Sequence, residues 1–194
     1  LATPDVDGIV ITHGTDTQEE TAYFLNLTVK SDKPVVLTGS MRPSTALSAD
    51  GPLNMYNAVA LAANPKAKGY GVMVVMNDEI HAAKDVRKMI STPVHTFQSP
   101  QEGLIGTVIF GDVLFFGKPS GLHTTNSEFS VKGITSLPRV DIVYMCADAS
   151  ADLIDIMVKA GAKGIVIAGV GDGNMTAGTL EAAKRATSAG IPVV

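Results

Sequence analysis

Short runs that are apolar at every position, alternating with stretches of helical spacing, constrain this sequence most. Gly8-Ile9-Val10-Ile11-Thr12, Val35-Val36-Leu37-Thr38 and Gly71-Val72-Met73-Val74-Val75-Met76 are three such runs. A strand that is apolar throughout has both faces buried, which points to a parallel sheet covered by helices on both sides. The intervening stretches fit. From Thr17 to Val29, Ala22, Phe24, Leu25, Leu27 and Val29 recur at helical spacing against polar Gln18, Glu19, Glu20 and Lys30. Asp50-Gly51-Pro52 opens a second helix through about Ala63, with Pro52 suited to the first helical position. The expected fold class is α/β, a parallel sheet with helices on both faces.

The rhythm changes near Gly103. Leu104 to Phe110 and Val113 to Phe116 flank Gly111-Asp112, a hairpin turn signal. A polar stretch, His123-Thr124-Thr125-Asn126-Ser127-Glu128 and on to Leu137-Pro138, reads as a linker. A second α/β unit follows: a strand from Asp141 to Cys146, a helix from Ala151 to Ala160, and a strand from Gly164 to Ala168. A helix from Thr176 to Ala189 and a strand from Ile191 complete it. The expected layout is an N-terminal domain over 1–117, a linker over 118–138 and a second domain over 139–194. Internal repeats and low-complexity segments are lacking.

At 194 residues the chain has room for one large domain, or one and part of a second. A domain near this size buries roughly 70% of its unfolded surface. Hydrophobic residues at 45% and charged residues at 18% exclude a disordered chain. No apolar run reaches the roughly 20 residues that span a bilayer, so no membrane partner is expected. A net charge of -4 with scattered basic residues, densest at Lys84, Arg87 and Lys88, argues against a nucleic-acid partner. Cys146 is the only cysteine; it ends the run Ile142-Val143-Tyr144-Met145 and is expected to be a small buried hydrophobe. Leu1 is no initiator and Gly190-Ile191-Pro192-Val193-Val194 stops just as a strand begins, so the chain is expected to be a fragment.

Ligands of parallel α/β sheets bind at the carboxyl ends of the strands, which singles out three loops. The first is Thr12-His13-Gly14-Thr15-Asp16-Thr17. Its plainer reading is a helix cap, since Thr17 and Glu20 fit a capping box. A cap needs one hydroxyl, however, and this loop carries three threonines, an aspartate and a histidine. The helix start suits a substrate carboxylate, Asp16 can accept from a substrate ammonium, and Thr15 can act as a nucleophile or position water. The second loop is Thr38-Gly39-Ser40-Met41-Arg42-Pro43-Ser44, where Ser40 can serve an oxyanion or merely connect two elements. The third, Gly169-Val170-Gly171-Asp172-Gly173-Asn174, lacks the G-x-G-x-x-G spacing and carries an aspartate that repels phosphate. Nucleotide binding is therefore not expected there, while Asn174 can hydrogen bond a polar ligand. His13, His81, His95 and His123 are dispersed, so no metal site is expected.

These residues carry a family resemblance. Asp7-Gly8-Ile9-Val10-Ile11-Thr12-His13-Gly14-Thr15-Asp16-Thr17 resembles the second signature of the bacterial-type L-asparaginase and glutaminase-asparaginase family. Lys33 to Pro43, Ser48 to Asn54, Val75 to Asp78, Asp85 to Lys88 and Ala168 to Asn174 resemble further family blocks. The resemblance implies a flavodoxin-like N-terminal domain, truncated at its start, and the first part of a smaller α/β C-terminal domain. It implies hydrolysis of the side-chain amide of L-asparagine, and often L-glutamine, through a threonine nucleophile without metal or cofactor. Thr15, Lys88 and Asp16 match a Thr-Lys-Asp triad, with Asp16 also binding the substrate amino group and Gly14 beside it. Ser40 matches a residue whose backbone approaches the side-chain amide, and Asn174 one that reaches a neighbouring subunit's site. A homotetramer of tight dimers in the periplasm is implied, with the cytoplasm as the other compartment.

Other readings stay open: an ammonia-releasing, asparaginase-like subunit of a tRNA amidotransferase, or a vestigial binding module. The family's first signature, with its other catalytic threonine, the mobile tyrosine loop and a C-terminal glutamate have no counterpart in these residues. Residues 1–194 alone are therefore expected to be inactive. Family members often have Asn where Asp172 stands, and some secreted ones have Cys where Ser31 stands. A lysine acting as a base near neutral pH needs its pKa brought from about 10.4 toward about 7–8, about 4 kcal/mol of environmental work. An ionised Asp16 alongside favours the charged form instead. Lys88 is thus either a base or a charged orienter of Thr15.

Overall fold

A computed structural model describes residues 1–194. In chain order the first unit, residues 1–131, contains β1 (Ile9–Thr12), α1 (Gln18–Thr28), β2 (Val35–Thr38), α2 (Gly51–Ala62), β3 (Val72–Met76) and β4 (Glu79–Ala82). Strands β5 (Arg87–Lys88), β6 (Phe97–Gln98), β7 (Gly106–Ile109) and β8 (Asp112–Phe115) follow. One sheet runs β1-β2-β3-β4-β7-β8, and β5 and β6 form a separate small ribbon.

Strands β1, β2 and β3 are parallel. Alternation along them explains why they are apolar throughout. Val36, Met73 and Val75 point to one side and pack with Ala58 and Leu61 of α2. Val35, Leu37, Val72 and Val74 point to the other side and pack with Ala22 of α1. Each helix thus covers one face, as expected of the α/β class. The sheet is not parallel throughout, because β4, β7 and β8 extend it antiparallel. Two tight turns reverse the chain. Asn77 and Asp78 take φ of 53° and 64° between β3 and β4. Phe110 and Gly111 take φ of 52° and 85° between β7 and β8. Left-handed geometry at both central residues is what a two-residue type I′ hairpin turn requires. The second turn is therefore Phe110-Gly111, one residue before the expected Gly111-Asp112, and Asp112 pairs with Ile109.

Two local expectations for α1 are corrected. Its buried stripe is Gln18, Ala22 and Asn26, while Phe24 stays exposed. The small Ala22 lets the helix lie close to the sheet, and the Asn26 amide oxygen accepts from the backbone N–H of Val72 at 3.0 Å. No side-chain cap bond forms at Thr17, whose ψ of 14° departs from the extended backbone a capping hydroxyl needs. Glu19, rather than Glu20, makes the consequential first-turn contact. Farther on, the polar stretch from His123 is held against α1, where Lys30 Nζ donates to the carbonyls of Thr124 (3.2 Å) and Ser127 (2.5 Å).

The second unit, residues 132–194, contains β9 (Val140–Tyr144), α3 (Asp152–Lys159), β10 (Gly164–Ala168) and α4 (Ala177–Ser188). Strands β9 and β10 are parallel. Val193 bridges to Ile165, so the last residues extend along β10. Val143, Met145, Ile154, Ile165, Ala182 and Ala186 make its core. Cys146 is exposed, not buried as expected. Side chains alternate along an extended chain: Val143 and Met145 face the core, and Ile142, Tyr144 and Cys146 face outward.

Candidate active site

The carboxyl ends of β1 and β2 lie side by side, with Thr12 opposite Thr38, so their loops emerge together. The His13 N–H continues the pairing by donating to the Thr38 carbonyl at 2.8 Å. Gly39 then passes so close that a Cβ there would stand 2.6 Å from the His13 carbonyl oxygen and 3.3 Å from Thr15 Cγ2. Any side chain at position 39 would push the two loops apart. The loops enclose an open cleft of about 440 Å³ lined by Thr12, His13, Gly14, Thr38, Gly39, Ser40, Gly51 and Met55. Gly14 and Ser40 both face this cleft and are exposed.

The first loop is braced by its own histidine. The Gly14 carbonyl can only accept, so His13 Nδ1–H donates to it at 2.7 Å. In the neutral ring Nε2 then accepts from the Thr21 hydroxyl at 2.9 Å, which ties the loop to α1.

The second loop is braced from below. The Asp50 carboxylate accepts the N–H groups of Met41 and Arg42, each at 2.9 Å. Buried Asn54 donates to the Gly39 carbonyl and to Asp50, both at 3.0 Å, and accepts from the Asn77 N–H at 3.1 Å. The Met76 sulfur accepts the Gly39 N–H at 3.2 Å. None of these supporting roles was inferred from the sequence. Asp50 and Asn54 read there as the start of a helix, and a helix start gives no sign of which loop it holds.

Lys88 arrives from β5. Its Nζ donates to Thr15 Oγ1 at 2.9 Å and to Asp16 Oδ1 at 2.6 Å. The Lys88 side chain is 17% exposed and that of Asp16 is 91% exposed. The structure thus brings together Thr15, Asp16 and Lys88. The hydrogen bond from Lys88, reinforced by its charge, holds the Asp16 carboxyl below the usual aspartate range. Asp16 is then ionised near neutral pH and available to a substrate ammonium on its exposed side. A lowered carboxylate pKa means the interaction is present above the ordinary aspartate value and is lost as pH falls through the lowered one. The Asp16 carboxyl carbon should therefore titrate by NMR below the ordinary value of about 3.9, and Lys88→Met should move the midpoint back up to it. An unmoved midpoint in that variant would mean the pair does not form in solution.

Asn174 belongs to the second unit, at the end of its glycine loop. Gly169 and Gly173 nearly touch, so that a Cβ on Gly169 would lie 2.5 Å from the Gly173 carbonyl carbon. Val170 and Asn174 exchange backbone hydrogen bonds at 3.0 and 2.8 Å. These two glycines serve a tight turn.

Comparison with known proteins bears on the family and the fold. The family described as asparaginase, N-terminal, matches residues 1–120, and the glutaminase/asparaginase C-terminal domain matches residues 139–194. L-asparaginase 2 of Bacillus subtilis (strain 168) is 54% identical over 194 residues, 100% of this chain and 52% of its own. Glutaminase-asparaginase of Pseudomonas fluorescens biotype A is 50% identical over 190 residues, 98% of this chain and 52% of its own. The chain thus spans about half the length of the curated relatives it matches. The crystal structure of a probable cytoplasmic L-asparaginase from Campylobacter jejuni superposes with a TM-score of 0.94 at 51% identity, over 96% of this chain and 61% of that one. Two domain matches, near-complete coverage at about half identity and a shared fold lead to one assignment: the chain belongs to the asparaginase family.

Proposed function

We propose that the protein hydrolyses the side-chain amide of L-asparagine, with L-glutamine as second substrate, to the acid and ammonia. The observation that carries this is the contact of Lys88 Nζ with both Thr15 Oγ1 and Asp16 Oδ1. A hydroxyl held by a cationic side chain, beside an ionised carboxylate and an open cleft, suits attack on a neutral amide next to an amino-acid head group. In this reading Thr15 supplies the hydroxyl oxygen and Lys88 orients it. Asp16 with Gly14 binds the substrate's amino-acid end, and the Ser40 backbone meets the amide. The threonine hydroxyl adds to the amide carbon, its proton leaves with the nitrogen as ammonia, and water then cleaves the resulting ester to the acid and the free hydroxyl. No step requires a metal or cofactor.

The names of the relatives cover both asparagine and glutamine chemistry. The same proposal includes a catalytic domain over 1–117, a linker over 118–138 and a second domain over 139–194. It also includes a periplasmic homotetramer in which Asn174 serves a neighbouring subunit, although the Campylobacter jejuni relative is named as cytoplasmic. No helix is long and apolar enough to cross a membrane. Coupled detection of ammonia with asparagine and with glutamine tests the activity. Purified protein of the relatives' full length that releases ammonia from neither amide overturns the reading, whereas residues 1–194 alone are expected to release none.

A further inference from the structure

We propose that Glu19 is a positioning residue for Lys88, an inference that rests on the catalytic reading of the Thr15–Lys88 contact. Lys88 lies on a strand of two residues, paired with β6 alone. On one side the ribbon is anchored, because Phe97, opposite Lys88, is buried and the Met89 N–H donates to the Thr96 carbonyl at 2.9 Å. On the other side the Lys88 N–H points away from β6, and it donates to Glu19 Oε2 at 2.5 Å. Glu19 stands in the first turn of α1, the helix that follows directly on Thr15 and Asp16. One carboxylate therefore ties the backbone of Lys88 to the base of the loop that its side chain serves.

A hydrogen bond from a backbone N–H to an ionised carboxylate is short and strong for its kind. Here it spans two segments 69 residues apart in sequence. Without it, β5 is free to shift against α1, and Lys88 Nζ loses its fixed distance to Thr15. Displacements near 1 Å at a reacting group cost on the order of 100-fold in rate. The Glu19 side chain hydrogen bonds to the Lys88 N–H and to neither Thr15 nor Asp16, so its effect passes through Lys88.

The test compares Glu19→Ala and Glu19→Gln in protein of the relatives' full length, by steady-state ammonia release alongside hydrogen exchange at the Lys88 amide. Glutamine keeps an oxygen that accepts the same N–H but removes the charge. Glu19→Ala should lower kcat by about 10- to 100-fold with KM changed less than about threefold, while Glu19→Gln stays within about threefold of wild type. Exchange at Lys88 should quicken in the alanine variant and not in the glutamine one. A kcat within about twofold of wild type for Glu19→Ala, or equal impairment of both variants, overturns the proposal. Should Glu19→Ala fail to fold, the glutamine variant decides, because activity near wild type supports the role and loss of activity overturns it. If the wild type at the relatives' full length releases no ammonia, the amide-hydrolysis reading fails. The exchange measurement then still decides whether Glu19 holds Lys88, and unchanged exchange in Glu19→Ala overturns that as well.

Discussion

Thr15→Ala lowers kcat/KM for asparagine by about a thousand-fold, Lys88→Met does the same, and the double variant loses little more than either single one. A thousand-fold corresponds to about 4 kcal/mol of transition-state stabilisation. That is the scale expected when a positioned hydroxyl, or the group that polarises it, is removed. Non-additivity follows from the geometry. The two side chains share one hydrogen bond at 2.9 Å, so once the hydroxyl is gone the lysine has nothing left to orient. Kinetics of the four proteins at saturating and limiting asparagine check this. If the two losses multiply to about a million-fold, Thr15 and Lys88 act independently and the paired mechanism is wrong. Lys88→Arg is a useful companion, because a planar guanidinium does not reproduce a compact ammonium in a space fitted to one point donor.

Asn54→Ala is expected to cost the most stability of any single change in the site's supporting layer. Asn54 is 2% exposed, and truncating it leaves the Gly39 carbonyl and the Asn77 N–H without a partner. Each stranded buried polar group costs about 1–3 kcal/mol, so a total near 3 kcal/mol is expected. For a protein of this size that lowers Tm by about 6–12 °C. The Ser40 loop should also loosen, since Asn54 holds both Gly39 and Asp50, which fixes Met41 and Arg42. Chemical and thermal unfolding measure the first effect and KM for asparagine the second. A stability change under about 1 kcal/mol would show that water or a neighbouring group replaces the amide.

The sequence shows the central sheet well and its continuation poorly, for a physical reason. Strands β2 and β3 are buried on both faces and the edge strand β1 is partly buried on both, so apart from a terminal threonine in β1 and β2 every residue is apolar and the pattern is unmistakable. Strand β4 is Glu79-Ile80-His81-Ala82. It buries a histidine whose Nδ1 bonds the Ser99 hydroxyl at 2.9 Å, and a polar residue whose hydrogen-bond partner lies 18 positions away gives no local signal. The turn before it was readable in principle, since Asn77-Asp78 suits left-handed geometry. The same division runs through the site. Thr15 and Asp16 stand out because a strand-to-helix loop so rich in side-chain oxygens needs more than a cap to explain it. Lys88 reads as one more surface lysine on residue pattern alone, because its partner is 73 residues upstream. Family resemblance alone singled it out. Glu19 was placed on the polar side of a helix, as its periodicity dictates, and nothing local says that a strand amide will meet it there.

The Met76 sulfur has one consequence for substitution tables. Methionine and leucine are ordinarily interchangeable in a core because they fill similar volumes. Met76 is buried and apolar by every sequence measure, yet its sulfur receives the Gly39 N–H at 3.2 Å, with the Asn54 amide at 3.8 Å and the Thr38 hydroxyl at 3.9 Å around it. A leucine there would keep the packing and strand the donor that shapes the Ser40 loop. An oxidised sulfur would instead present a far stronger acceptor, with an added oxygen the space does not hold. At this position the side chain serves as soft polar ligation for a loop, and a hydrophobicity scale would rank its replacements in the wrong order.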